Sequence, residues 1–448
     1  MKQTARNAAV SALCKWEQQQ GYSNIVLDRL LCSTELEAAD AALATRLFYG
    51  VIERKITLDH MLGKYCRKPL ARLDTSVRNI LRTAAYQIYY MDKIPPAVAV
   101  HQAVLQCKQM GVASASGFAN GVLRALLRDG THLPEVWPQG AEGLSLQYSC
   151  PQEWISLWSD GYGEETALQY LRSLGQTPEQ ALRINTLVTD IEQVEQILQQ
   201  QNVPCVRHGY LPACLILPNG ASAKQLAKLP QNWYYYQDTA SQWACRALQA
   251  QPGERIADLC AAPGGKTLTV AQYMQNQGQI YAFDLHEHKC RVLQQRAQQY
   301  GVTAAQVACR DAASPVPEQY KEYFDRVICD VPCSGLGVIR RKPEIRYKLP
   351  QEFDSLPAQQ LNILLRAAEM VRVGGVLQYS TCTLHPRENE QVVQRFLQLC
   401  PHFAPRILPI TPCFEQAGLQ PSHSITLWPH LHQTDGFFIA AFTKERSA

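Results

Sequence analysis

The segment "RIADLCAAPGGKT", Arg255 to Thr267, reads as a buried strand, a turn of small residues and the first turn of a helix. A strand feeding straight into a helix is the opening of a crossover unit. The same alternation continues downstream through "QIYAFDL", "HKCRVLQQRAQQYG", "AQVACRDA", "YFDRVICDVP", "AQQLNILLRAAEMVRVGG", "VLQYSTC" and "ENEQVVQRFLQLC". Apolar strands joined by helices predict a mainly parallel, doubly wound, Rossmann-like α/β domain over residues 237–448. Ligands of such sheets lie beyond the carboxyl ends of the strands.

The turn excludes two nucleotide motifs. Gly265-Lys266-Thr267 matches the end of a P-loop, but Cys260 stands where its first glycine belongs, and no Gly-x-Gly-x-x-Gly occurs there. A third reading fits: Cys260, Ala261, Ala262, Pro263, Gly264 and Gly265 let a ligand approach the backbone, and the helix start at Lys266 favours a carboxylate. The methionine end of S-adenosylmethionine carries one. Asp284, 26 residues after Asp258, closes the next strand, where an acid binds ribose hydroxyls. Asp311 closes the third and is expected at the adenine edge.

Two further strands end on cysteines. "FDRVICDVPCSGLG" stops at Asp330-Val331-Pro332-Cys333, and "VLQYSTCTLHP" at Ser380-Thr381-Cys382-Thr383. Most of the 16 cysteines read as small core residues, and no Cys-x-x-Cys pair suggests a metal. No export signal is legible at the start, so free thiols and a cytoplasmic location are expected.

Upstream the pattern changes. Residues 1–140 read as five or more helices, including "DTSVRNILRTAAYQIYYM" with Asp74 or Thr75 as cap. Residues 141–236 read as a linker and a small α+β segment. No apolar run approaches a membrane span. The first 150 residues hold 17 basic against 12 acidic side chains; the remaining 26 and 27 balance. Lys64, Arg67, Lys68 and Arg72 lie in a basic segment running from Lys55 to Arg82, and Arg340, Arg341, Lys342, Arg346 and Lys348 follow Cys333. Both runs are expected to contact RNA phosphates.

"DLCAAPGGK", Asp284, Asp311, "DVPCSGLG", "STCT" and "YYQDTASQ" (235–242) together resemble the motifs of S-adenosylmethionine-dependent RNA cytosine-5 methyltransferases. The helical third resembles the RNA-binding domain of the antitermination factor NusB. The combination is similar to the Sun/Fmu-type small-subunit rRNA methyltransferases over essentially the whole chain, with Val331 where relatives often carry Ala or Pro. The resemblance implies Cys382 as nucleophile, Cys333 assisting proton removal and product release, and Asp330 at the N3/amino edge of the base and beside the cofactor. Lys266 is expected next to them, stabilising negative charge. It implies 16S rRNA or an early small-subunit assembly intermediate as partner, a monomer, and no metal. A tRNA-modifying enzyme of the same chemistry and a non-catalytic RNA-binding or antitermination factor stay as alternatives.

Overall fold

The computed structural model describes residues 4–19, 23–218, 220–411, 413–414 and 420–447. The chain forms two compact units, one of residues 1–175 with 341–348, the other of residues 176–340 with 349–448.

The first unit is helical. Its helices are Ala5–Gln19, Ser23–Cys32, Ala38–Glu53, Lys55–Gly63, Thr75–Tyr90, Pro96–Gln109 and Ser116–Asp129, followed by Gly140–Tyr148, Gln152–Tyr162 and Glu164–Ser173. The sequence reading closed this part near residue 140, but helices continue to Ser173. Asp74 caps Thr75–Tyr90 by accepting from the Ser76 amide at 2.8 Å, which satisfies an otherwise orphaned helix donor. Ile80, Leu81, Ala84 and Ala85 of that helix are buried against Leu47, Phe48 and Leu58. Arg82, also buried, donates to both Asp59 oxygens at 2.6 Å and to Glu17 at 2.6 Å. Burial pushes the Glu17 carboxyl up, yet Arg82 and Arg78 outweigh it and hold its pKa at about 2. The basic run Lys55–Arg82 thus divides: Arg78 and Arg82 tie helices together, while Lys64, Arg67, Lys68 and Arg72 are exposed. Arg67 and Lys68 border an open cavity of about 500 Å³ with Asp59 and Cys66.

The second unit begins with a four-stranded antiparallel sheet. Strands β1 (Gln180–Ile184), β2 (Val206–Arg207), β3 (Cys214–Leu217) and β4 (Tyr234–Tyr236) are arranged β2-β3-β1-β4. Helix Ile191–Gln200, capped by Asp190, buries Val194 and Leu198 against Leu182, Ile184 and Leu215.

The large sheet holds β5 (Arg255–Asp258), β6 (Gln279–Asp284), β7 (Ala305–Cys309), β8 (Phe324–Asp330), β9 (Val371–Thr381), β10 (Phe403–Pro405), β11 (Ser424–Leu427) and β12 (Phe437–Lys444). Its order is β10-β12-β9-β8-β5-β6-β7, with β11 paired to β12. β5 to β9 run parallel, as the strand–helix alternation requires; β12 is antiparallel to β9, and β10 and β11 to β12. No helix among the described residues is long and apolar enough to cross a membrane.

Candidate active site

Parallel register explains why distant residues meet. In β8 and β9, Asp330 lies opposite Ser380, and the Val331 amide donates to the Ser380 carbonyl at 3.1 Å. Both chains leave the sheet together, so Cys333 and Cys382 emerge side by side. Their sulfurs are 3.1 Å apart and not bonded to each other; a disulfide would be about 2.05 Å. Cys382, burial and the charge of Glu388 together push the Cys333 thiol well above its ordinary value.

The backbone packs tightly around this pair. The Gly337 amide donates to the Cys382 carbonyl at 3.1 Å, and the Gly436 amide to the Gly337 carbonyl at 2.9 Å. A Cβ on Gly337 would fall 1.9 Å from the Gly436 oxygen and 2.9 Å from the Cys382 oxygen. Both obstacles are backbone, so they cannot swing aside. Gly337→Ala is therefore expected to destabilise the chain by about 2–3 kcal/mol, read from denaturant unfolding. An unchanged midpoint would show that the loop relaxes freely.

Asp330 is held on both oxygens: Lys266 Nζ lies 2.5 Å from Oδ2, and the Ser380 hydroxyl donates to Oδ1 at 2.9 Å. Burial works against the Lys266 ammonium, but Asp330, Cys245 and Asp258 outweigh it and leave it above the usual lysine value. Lys266 is thus a largely buried cation beside Asp330.

The turn after β5 does what its small residues suggest. Gly264 has φ +105°, and a Cβ there would meet Leu293 at 2.4 Å. Asp258 is buried, accepts from the Thr267 hydroxyl at 2.7 Å, and burial pushes its pKa up to about 7. Burial likewise raises the Cys260 thiol. Asp284 accepts from the amides of Ala262 at 3.2 Å and His286 at 3.1 Å. Asp311 is exposed and closes its own turn, accepting from the Ala313 amide at 2.9 Å.

A cavity of about 250 Å³ is lined by Cys260, Ala261, Ala262, Pro263, Gly265, Lys266 and Asp330, together with Tyr236, Gln237, Asp238 and Ser241. Asp284 and Asp311 are not among its lining residues. Gln237 Nε2 and Asp258 Oδ1 are buried and find no hydrogen-bond partner among the described residues. An unmatched donor and acceptor at the wall of a cavity fit a zwitterionic ligand such as the methionine end of S-adenosylmethionine. No group of His, Cys, Asp and Glu suited to a metal occurs among the described residues.

The basic segment after Cys333 departs from expectation. Arg340 donates to the Thr434 carbonyl at 2.6 Å and lies 3.7 Å from Asp435, with a nearly buried side chain. Arg346 is 1% exposed and donates to the carbonyls of Glu53 at 3.1 Å and Ser149 at 3.0 Å. Both guanidiniums serve internal carbonyls and are withdrawn from a phosphate. Arg341, Lys342 and Lys348 are exposed.

Sequence reasoning passed over Gln237, Glu388, Asn389 and Gln360. Gln237 lies in "YYQDTASQ", quoted above only as a motif, and Glu388 and Asn389 lie in "RENE", a polar cluster beyond a strand end.

A family model described as 16S rRNA methyltransferase RsmB/F matches residues 245–443. The NusB family model matches residues 3–128, and a model of the RsmF/B-like ferredoxin-like domain residues 150–224. The chain is 35% identical to the probable ribosomal RNA small subunit methyltransferase B of Bacillus subtilis (strain 168), over 99% of this chain and all of that protein. It is 34% identical to the protein of the same description from Synechocystis sp., over 98% and 99%. The crystal structure of PH0851 is similar over 98% of both chains, with TM-score 0.81 and 26% identity.

Proposed function

We propose that this chain, which belongs to the family of S-adenosylmethionine-dependent small-subunit rRNA methyltransferases, delivers its methyl group to carbon-5 of a cytosine in 16S rRNA. The observation that carries the reading is the Cys333–Cys382 pair at adjoining strand ends, 3.1 Å between sulfurs. Cytosine carbon-5 is a weak nucleophile, and sulfur added at carbon-6 turns it into an enamine-like one. Two thiols at one point supply both the addition and the later proton removal.

Cys382 is the attacking group. Hydrogen bonding from the Cys333 thiol stabilises its thiolate, and a bond forms between Cys382 Sγ and carbon-6 while the ring π-electrons move to carbon-5. S-adenosylmethionine, when bound, supplies an electrophilic methyl group. The turn Cys260–Gly265 and Gln237 would hold its amino-acid end, and Asp284 its ribose. Asp330 accepts from the exocyclic amine of the base, and Lys266 beside it is the donor for charge growing on the ring. Asp311 is assigned to the adenine edge.

Once Cys382 Sγ is bonded to carbon, the largest influence holding the Cys333 thiol up is gone. Cys333 then releases its proton to solvent, and its thiolate takes the proton from carbon-5. The carbon-6–sulfur bond breaks and the Cys382 thiolate returns. Lys64, Arg67, Lys68 and Arg72, with Arg341, Lys342 and Lys348, are assigned to RNA phosphates. A target base must leave its stack to reach strand ends, which favours single-stranded rRNA.

Bisulfite sequencing of total RNA from cells with and without the gene tests the reading. One protected cytosine in 16S rRNA should vanish with the gene. Loss of a tRNA site instead would reassign the substrate, and an unchanged methylation pattern would end the proposal.

A further inference from the structure

Glu388 and Asn389 are consecutive, fully buried polar residues between Cys382 and the helix Glu390–Leu399. Glu388 grips the Cys333 loop. Its Oε2 accepts from the Ser334 amide at 3.0 Å and from Gln360 Nε2 at 2.8 Å, and the same Gln360 nitrogen donates to the Pro332 carbonyl at 2.9 Å. Both neighbours of Cys333 are thereby fixed through one carboxylate.

Asn389 grips the other loop in the same way. Its Oδ1 accepts from the Thr381 hydroxyl at 2.6 Å, and its Nδ2 donates to the Thr383 carbonyl at 3.0 Å. Both neighbours of Cys382 are thereby fixed through one amide. Asn389 occupies the N-cap position of its helix but makes no capping bond with its side chain. Asparagine is among the best capping residues, so its diversion to the loop is a departure from local preference that the site explains. A 2.7 Å hydrogen bond between the hydroxyls of Ser334 and Thr383 joins the two loops. The Tyr379 hydroxyl donates to the Glu388 carbonyl at 2.6 Å and ties the pair back to β9.

We propose that Glu388 and Asn389 are positioning residues that act as a two-jaw clamp, setting the separation of the Cys333 and Cys382 sulfurs and dividing the two steps between them. Glu388 aims Cys333 and governs proton removal and product release; Asn389 aims Cys382 and governs attack on the base. The division of steps rests on the cytosine reading above, whereas the setting of the sulfur separation does not.

Two measurements on the full-length protein test this. Phenylarsine oxide joins two adjacent thiols through one arsenic with loss of water, and mass spectrometry identifies the bridged Cys333 and Cys382 peptides without RNA or cofactor. Glu388→Ala and Asn389→Ala should each lower bridging about tenfold, the scale of one lost buried hydrogen bond. Glu388→Gln keeps an acceptor oxygen and should stay within about threefold. Thr381→Val removes only the hydroxyl that meets Asn389, so it keeps the test valid should the alanine variants fold poorly, and it should lower bridging too. Unchanged bridging in Thr381→Val and in the folded alanine variants overturns the clamp.

With RNA and S-adenosylmethionine in single turnover, Glu388→Ala should slow release and spare adduct formation, and Asn389→Ala the reverse. Equal slowing of both steps in both variants overturns the division of labour. Normal bridging in an unsubstituted protein that forms no RNA adduct would refute the cytosine reading while leaving the clamp intact.

Discussion

Replacing Cys382 with alanine should stop methyl transfer and remove every trace of a protein–RNA adduct. Cys382 is the one thiol at the end of β9, where the hydroxyls of Ser380, Thr381 and Thr383 are engaged by Asp330, Asn389 and Ser334. Cys333, although adjacent, lies on a different loop held by Glu388. Loss of a nucleophile that works as part of a unit lowers turnover by about 10⁵- to 10⁶-fold. The fold should tolerate the change, because Cys382 is only half-buried and alanine removes a single atom; a loss of about 1 kcal/mol is expected. Radiolabelled methyl incorporation into 16S rRNA, beside a denaturation curve, checks both halves. Full turnover in the variant would mean that carbon-5 is activated by some other route.

Cys333→Ala should give the opposite gel. Attack by Cys382 persists, but no thiolate remains to take the carbon-5 proton, so the covalent complex accumulates. Losing a general base slows the step it serves by about 10²- to 10⁴-fold. In the unsubstituted protein, release should quicken as pH rises. The reactive form of Cys333 is its thiolate; with Cys382 bonded to carbon, burial and the charge of Glu388 still hold the thiol up, and raising pH populates the thiolate. That dependence should flatten in Cys333→Ala. Denaturing electrophoresis of quenched reactions reads the adduct, and an adduct level equal to that of the unsubstituted protein would remove Cys333 from the release step.

Much of this site was legible because parallel sheets place chemistry at predictable ends. The small-residue turn, Asp284 and the two cysteines could be located from strand endings alone, and the register of β8 against β9 then brings the cysteines together. What could not be read was which polar side chains turn inward. Arg346 and Arg82 stand in basic runs that look solvated, yet each is buried on partners hundreds or tens of residues away. Lys266 was expected near the cysteines, but its partner could not be read until β8 supplied Asp330. Glu388 and Asn389 precede a helix and resemble capping residues; only tertiary contact shows that they serve the loops instead. The antiparallel edge formed by β10, β11 and β12 also escaped, because its strands lack crossover helices to announce them.

The excursion of residues 341–348 carries a consequence for anyone who would take this protein apart. Glu344 accepts from the Ser23 amide, Trp154 donates to the Arg346 carbonyl, and Tyr347 donates to the Ile52 carbonyl. The helical unit is therefore laced into the chain at two places and has no single seam. Cutting before residue 176 would strand the Arg346 guanidinium without its carbonyl acceptors, just past the loop that carries Cys333. An isolated sheet domain would thus carry a guanidinium in its 341–348 segment whose carbonyl acceptors are gone. Grafting experiments should move the 341–348 segment together with the helices or replace it outright.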